Sequence, residues 1–337
     1  MNKDYFTNLN YNFISNREKN NKKRLKCMFP DCNKKAVMSH TIPESAVLKI
    51  LSNKDNVLYY PEIDNKTKKY LIGKTYTRKA SVFPGFCNEH ENLFSGYEKD
   101  GNFQDQSIVL QNLRVIYRYY SRWDNLKKTF NYHKKKYTEE IFKYQKEKID
   151  FLNQYQKSDI KLMSIEDDII EHINKNIDLC DYMIQKIHNE DLYPFLRTLN
   201  GDDNLISVGI LEINIPLPLS LAGKSEFDIN GKKFTIHLSV FSTNNKTILC
   251  FSYNLKYEKE FNTLLSQYKN DIEIIGFIES WMIYGTDDWF INPNEWDSYT
   301  KIKQDKILDL LKVQDYYPDK KLDFNIFDNA RSYYNKS

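Results

Sequence analysis

Apolar residues nowhere run unbroken for the roughly 18 positions that a membrane-spanning helix needs, and the polar N-terminus lacks the apolar stretch of a signal peptide. The expectation is a soluble cytoplasmic protein with no membrane association. Glycine and proline are sparse, at 10 and 9 of 337 residues, and no Gly-rich phosphate loop or GxSxG elbow occurs. Kinases, P-loop enzymes and serine hydrolases are thereby excluded. No solenoid-type repeat is present. Cysteine is also scarce: 5 residues, an odd number spread over a long chain without secretory features. Such usage argues against a disulfide framework and for reduced thiols that could bind metal.

What the chain has in abundance is Tyr (25), Phe (20), Asn and Lys. The net charge of +3 hides an asymmetry: residues 1–148 hold 29 Lys and Arg against 16 Asp and Glu, and residues 149–337 hold 20 against 30. A basic half of this kind attracts a polyanion, nucleic acid above all, with DNA favoured. It could equally face the acidic half, or a protein partner or second copy of the chain.

The expected organisation is α+β in four parts. Residues 1–26 read as a basic N-terminal arm, and residues 27–103 as a small unit with two Cys-bearing turns. Residues 104–193 read as a long antiparallel helical hairpin, because apolar residues recur at helical spacing without Gly or Pro. Ser158 or Asp159 is a candidate N-cap for the second helix. Residues 194–337 read as a mixed domain with an antiparallel sheet of about four strands, two of them joined at Asn230-Gly231. Helices are expected over 257–284 and again from Pro293, capped by Asn292.

The strongest chemical signal is a pair of short turns. KCMFPDC places Cys27 and Cys32 on a Pro-containing turn, and FCNEHE places Cys87 and His90 where a turn opens a helix. Two chelating turns are what a tetrahedral structural Zn²⁺ site requires, with ligands at about 2.0 to 2.3 Å. Such a staple would hold a unit too poor in core to keep its shape alone. The competing reading is buried thiols and a surface histidine. For Cys180, within a helical pattern, and Cys250, within an apolar strand, a core position is expected.

A Cys pair, then a strand with SHTIP, then a loop and a Cys-x2-His knuckle opening a helix resembles the zinc-stapled HNH endonucleases, also called His-Me finger or ββα-metal nucleases. The likeness runs from Cys27 to Glu98 and implies a treble-clef/HNH-like fold. The flanks are similar to uncharacterised bacterial proteins with an FC-x2-HD signature, associated with HNH-type nucleases and phage defence. The resemblance implies that His40 is the general base for phosphodiester hydrolysis and that Pro43 is the family proline. Glu91, helped by Glu98 on the same helical face, would hold a catalytic Mg²⁺ or Mn²⁺. Ser39 departs from the pattern, standing where the family has a metal-binding Asp. Phe94 departs too, replacing a Lys or His. A non-catalytic zinc module that binds nucleic acid or a partner protein, with the C-terminal domain as sensor or assembly surface, is the alternative.

Elsewhere, Arg114 to Lys148 carries 11 Lys and Arg against 4 Asp and Glu, interleaved with Tyr and Trp. It reads either as a phosphate-tracking face or as core rings beneath a solvated surface. His133 is expected on a loop or surface. His237 shares the polar face of its strand with Thr235 and Ser239, where a solvent-facing position is expected. Glu171 and His172, adjacent on a helix, point in different directions and make no acid–base pair. Trp281, Trp289 and Trp296 cluster with acidic residues, as a binding platform or as helix-against-sheet packing.

Overall fold

A computed structural model describes residues 26–64, 67–101, 103–155, 163–311, 318 and 320–334. Asn230 and Gly231 both take positive φ, 55° and 79°, as the two-residue turn of a right-twisted hairpin demands. They join β6 (Leu219–Ile229) to β7 (Lys232–Ser242), which pairs in turn with β8 (Thr247–Asn254), itself flanked by β5 (Ile206–Ile213). These are the four strands expected from the sequence. The sheet does not stop at about four strands, however. β2 (Val57–Ile63) and β3 (Tyr70–Tyr76) form a hairpin that joins it through β9 (Trp289–Ile291), completing seven strands in the order β3-β2-β9-β6-β7-β8-β5. The joining contacts are long-range: Tyr59 opposite Ile291, and Leu219 to Leu221 opposite Ile291 to Trp289.

Strand alternation sorts the sheet into two unlike faces. Phe234, Ile236, Leu238 and Val240 of β7 lie with Leu249 and Phe251 of β8 in the main hydrophobic core. Trp281, Trp289 and Trp296 are buried in this same core, so the Trp-rich segment packs rather than presents a platform. The opposite face carries His237, Ser239, Phe241 and Ser252, and all four are buried. His237 therefore does not face solvent: the Phe195 ring covers it edge-on at 5.0 Å. The other cover is a long helix whose Asn112 donates to Ser252 Oγ (2.7 Å) and accepts from Ser239 Oγ (3.0 Å), with Phe103 stacked on Phe241 just before it. Buried hydroxyls on this face are thus paired with amides, which avoids the cost of desolvating unpaired polar groups.

Helices α1 (Asn88–Glu91) and α2 (Ser95–Asp100) precede that long helix, α3 (Asp105–Tyr155), which forms the expected antiparallel hairpin with α4 (Met163–Lys186). The chain divides into a unit holding residues 119–191 and a larger one holding 26–118 and 192–337. Within the first, Tyr137, His133 and Cys180 are buried and Lys127 pairs with Asp181. His133 is accordingly a helix-interior residue, not a surface one. Residues 1–25 of the expected basic arm, and the expected N-caps Ser158 and Asp159, lie outside the described residues. Among the described residues no helix is long and apolar enough to cross a membrane.

After α5 (Tyr193–Leu199) and the strands, α6 (Glu258–Leu265) and α7 (Asp271–Ser280) occupy the helical stretch read from sequence. Asn292 caps α8 (Pro293–Ser298) by accepting from Asn294 N–H, as expected. The pattern beyond it is two helices: Thr300 leaves helical geometry and caps α9 (Lys301–Leu310). The chain then closes with α10 (Asp328–Tyr334), clasped through buried Glu279 of α7. One Glu279 oxygen accepts from the N–H groups of Ile326 (2.8 Å) and Phe327 (2.7 Å), and the other pairs with Arg331 (2.6 Å). Glu279→Ala leaves two buried donors and a cation without their acceptor. It is expected to cost about 3 kcal/mol, read as a lower urea midpoint for the sheet-bearing unit, with faster amide exchange at residues 326 and 327.

Candidate functional site

Residues 26–37 fold into a knuckle because the backbone turns back on itself. Cys27 N–H bonds Lys34 C=O (2.7 Å), and Asp31 takes the left-handed conformation (φ 57°) that lets Cys32 N–H reach Phe29 C=O. Met28 and Val37 N–H groups then bond Gly85 and Phe86 C=O at 2.9 and 2.7 Å, laying this knuckle against the second one. Gly85 is needed there, since a Cβ would meet the Phe83 ring and Ser39 Oγ within 2.8 Å. Cys87 is the N-cap of α1, so its thiol and His90, one turn on, face the same side.

The four side chains converge. Cys27 Sγ lies 3.2 Å and Cys87 Sγ 3.5 Å from His90 Nδ1, Cys32 Sγ lies 3.9 Å from Cys87 Sγ, and all four atoms fall within 4.8 Å of one another. Tetrahedral Zn²⁺ with its usual bond lengths separates sulfur from sulfur by about 3.8 Å and sulfur from nitrogen by about 3.6 Å. Cys27, Cys32, Cys87 and His90 could therefore hold a metal ion such as zinc. Phe29 stacks on the His90 ring at 4.1 Å and fixes its orientation. Burial pushes the Cys27 thiol up to about 11. Cys87 is lowered although burial opposes it, because the N–H groups of His90 and Glu89 at the helix start point at its sulfur. A bound cation would take both as thiolates. Among the described residues this is the one group of three or more His, Cys, Asp or Glu whose ligand atoms converge in this way.

Beside the knuckles, β1 (Met38–His40) pairs antiparallel with β4 (Val82–Pro84), Ser39 opposite Phe83 and His40 opposite Val82. The helical turns α1 and α2 follow β4 directly in the chain. The β2–β3 hairpin is inserted between the two strands. His40 is largely buried, its ring hydrogen-bonded to the Thr77 carbonyl, and its Nε2 lies 3.8 Å from Glu44 Oε2 with no hydrogen-bond partner among the described residues. Burial, aided by the Arg114 charge, holds the imidazole below its ordinary value of 6.5 against the pull of Glu44 and Glu98, so His40 is neutral at pH 7.

Glu91 and Glu98 do share a helical face, but what they face is Arg114. This arginine of α3 is 1% exposed; its Nη2 lies 2.9 Å from Glu91 Oε2 and its Nη1 2.5 Å from Glu98 Oε1. Ser39 donates to the second Glu91 oxygen and accepts from Phe86 N–H at 3.1 Å. Phe94 packs its ring against the guanidinium at 4.4 Å. Burial raises the Glu91 carboxyl, opposed by Arg114 and the Ser39 hydroxyl. Three of the four oxygens that the resemblance assigns to a catalytic Mg²⁺ or Mn²⁺ are thus engaged with protein groups, which does not fit that ion. Arg114 lacks any sequence signal, standing 16 residues past Glu98 at the head of a basic helix. Glu44 carries no sequence signal beyond standing four residues after His40.

Exposed Arg78 and Lys79 lie on the turn whose Thr77 carbonyl holds His40, and Lys49 lies 4.0 Å from Glu44. The His40 ring and these basic side chains therefore belong to one locality. No protein family, curated protein or solved structure matches this chain.

Proposed function

We propose that residues 27–103 form a zinc-stapled, HNH-like unit that hydrolyses phosphodiester bonds in nucleic acid, with His40 as general base. A place in bacterial phage defence belongs to the same proposal, on the resemblance of the flanks. The observation that carries the reading is His40: a neutral imidazole on the first strand of a strand–strand–helix unit, one ring nitrogen held by Thr77 and the other buried beside Glu44 without a hydrogen-bond partner. In this reading Nε2 takes a proton from water as its oxygen attacks phosphorus. The bond to the leaving oxygen then breaks, and that oxygen regains a proton from imidazolium. Arg78 and Lys79 meet the phosphate oxygens. The metal held by the three cysteines and His90 is structural, and Glu91 and Glu98 hold the helix rather than touch substrate.

The test is cleavage of plasmid and single-stranded nucleic acid by wild type and His40→Ala, both shown to retain zinc. The expected loss in the variant is about 10²- to 10⁴-fold. Protonated His40 is inactive, so the rate should rise with pH and level off. Since its pKa is lowered, the half-rise falls below pH 6.5. Glu44, Glu98 and Arg114 are the charged groups that set its position. A second reading, binding without cleavage, is favoured by the closure of Glu91 on Arg114. It would appear as salt-weakened binding with no cutting by either protein.

A further inference from the structure

We propose that Arg114 is the resident cation of this finger, and that the finger takes no divalent ion at Glu91 and Glu98. The inference rests on the finger reading above for what the site does, but on geometry alone for what fills it. Three observations carry it.

First, three of the four carboxylate oxygens are used. Ser39 and Arg114 engage the two Glu91 oxygens, and Arg114 also engages Glu98 Oε1. A divalent ion needs several open oxygen ligands in a regular shell. Here Ser39 replaces the strand carboxylate that the resemblance leads one to expect, and a hydroxyl that donates to Glu91 is not offering that residue to an ion. Second, the guanidinium cannot swing aside. It is 1% exposed, lies against the Phe94 ring, and projects from a helix segment pinned on both sides. Gln111 donates to Thr41 C=O at 2.6 Å, while Arg118 reaches Thr41 Oγ1 at 2.8 Å and Asp288 at 2.9 Å. Third, the charge is already provided. One fixed guanidinium stands between two carboxylates, and an added divalent cation would be desolvated beside it against its repulsion.

The arrangement gives Arg114 two tasks. It locks α1 and α2 against β1, and it contributes a positive charge that helps keep His40 neutral. It is a positioning residue: being buried, it does not reach a substrate phosphate.

The experiment is Mn²⁺ titration of the zinc-loaded full chain, followed by electron paramagnetic resonance, with wild type, Glu91→Gln, Glu98→Gln and Arg114→Met. Wild type is expected to show no saturable Mn²⁺ site that depends on Glu91 or Glu98. Arg114→Met, which frees both carboxylates at similar volume, should gain one, lost again when Glu98→Gln is added. One Mn²⁺ equivalent on wild type that disappears in Glu91→Gln would overturn the proposal, whether or not Arg114→Met folds. Mn²⁺ binding untouched by both Glu substitutions lies elsewhere and supports it. Because the readout is metal binding, absence of nucleic-acid cleavage would sink the functional reading while leaving this result intact.

Discussion

Cys87→Ser is expected to reduce bound zinc from one equivalent to near none and to unfold the finger locally. The reasoning starts from the small size of the local core. Residues 26–37 are tied down by a few backbone hydrogen bonds and by Cys27 and Ala36, the only fully buried apolar side chains in the stretch. Structural zinc contributes about 10 to 16 kcal/mol in isolated zinc-finger peptides, which exceeds what most whole domains have to spare. Losing one thiolate opens the shell, and the remaining thiols take up protons. The sheet should persist, because its core lies elsewhere. The expected signature is lost protection at amides 27–37 and 85–91 with protection of β6 to β8 retained. Cys250→Ser, in the buried strand, should keep its zinc. Cooperative melting of the finger with well under one zinc equivalent in the wild type would refute the staple.

Arg114→Leu is expected to cost about 3 to 5 kcal/mol, the usual result of removing one partner from a buried ion pair. Glu91 and Glu98 would then share a half-buried site without their cation, and one must take up a proton or turn out toward water. Adding Glu91→Gln and Glu98→Gln should recover most of the loss, since a neutral trio carries no unpaired charge. The urea midpoint of the sheet-bearing unit measures this cycle. The exposed pair Lys175–Glu171 on α4 serves as contrast, and its removal should leave the midpoint unchanged. Equal, small effects from both pairs would show that Arg114 is not the keystone of the finger.

Both predictions concern features of different legibility. Cys27, Cys32, Cys87 and His90 could be picked out from spacing, because two short chelating turns are local patterns and a metal needs only that they meet. Glu91 and Glu98 could be placed on one face by helical periodicity. What they face could not: Arg114 belongs to another helix, and nothing at position 114 distinguishes it from the other Lys and Arg around it. The same holds for His237. Alternation put it correctly on the face with Thr235 and Ser239, but whether that face is covered depends on Asn112 and Phe195, 125 and 42 residues away in the chain.

The sequence by itself determined what short-range physics controls: the β6–β7 turn, which needs two positive φ angles and has Asn-Gly to supply them, the strands that alternate, the long Gly- and Pro-free helices, and the paired knuckles. The tertiary structure alone decided that β2 and β3 join a distant sheet, that Thr300 breaks a helical pattern, and that a guanidinium stands between Glu91 and Glu98. The physical reason is common to all three. Backbone conformation is biased within a few residues, whereas burial and charge pairing belong to whatever surface the chain later brings alongside.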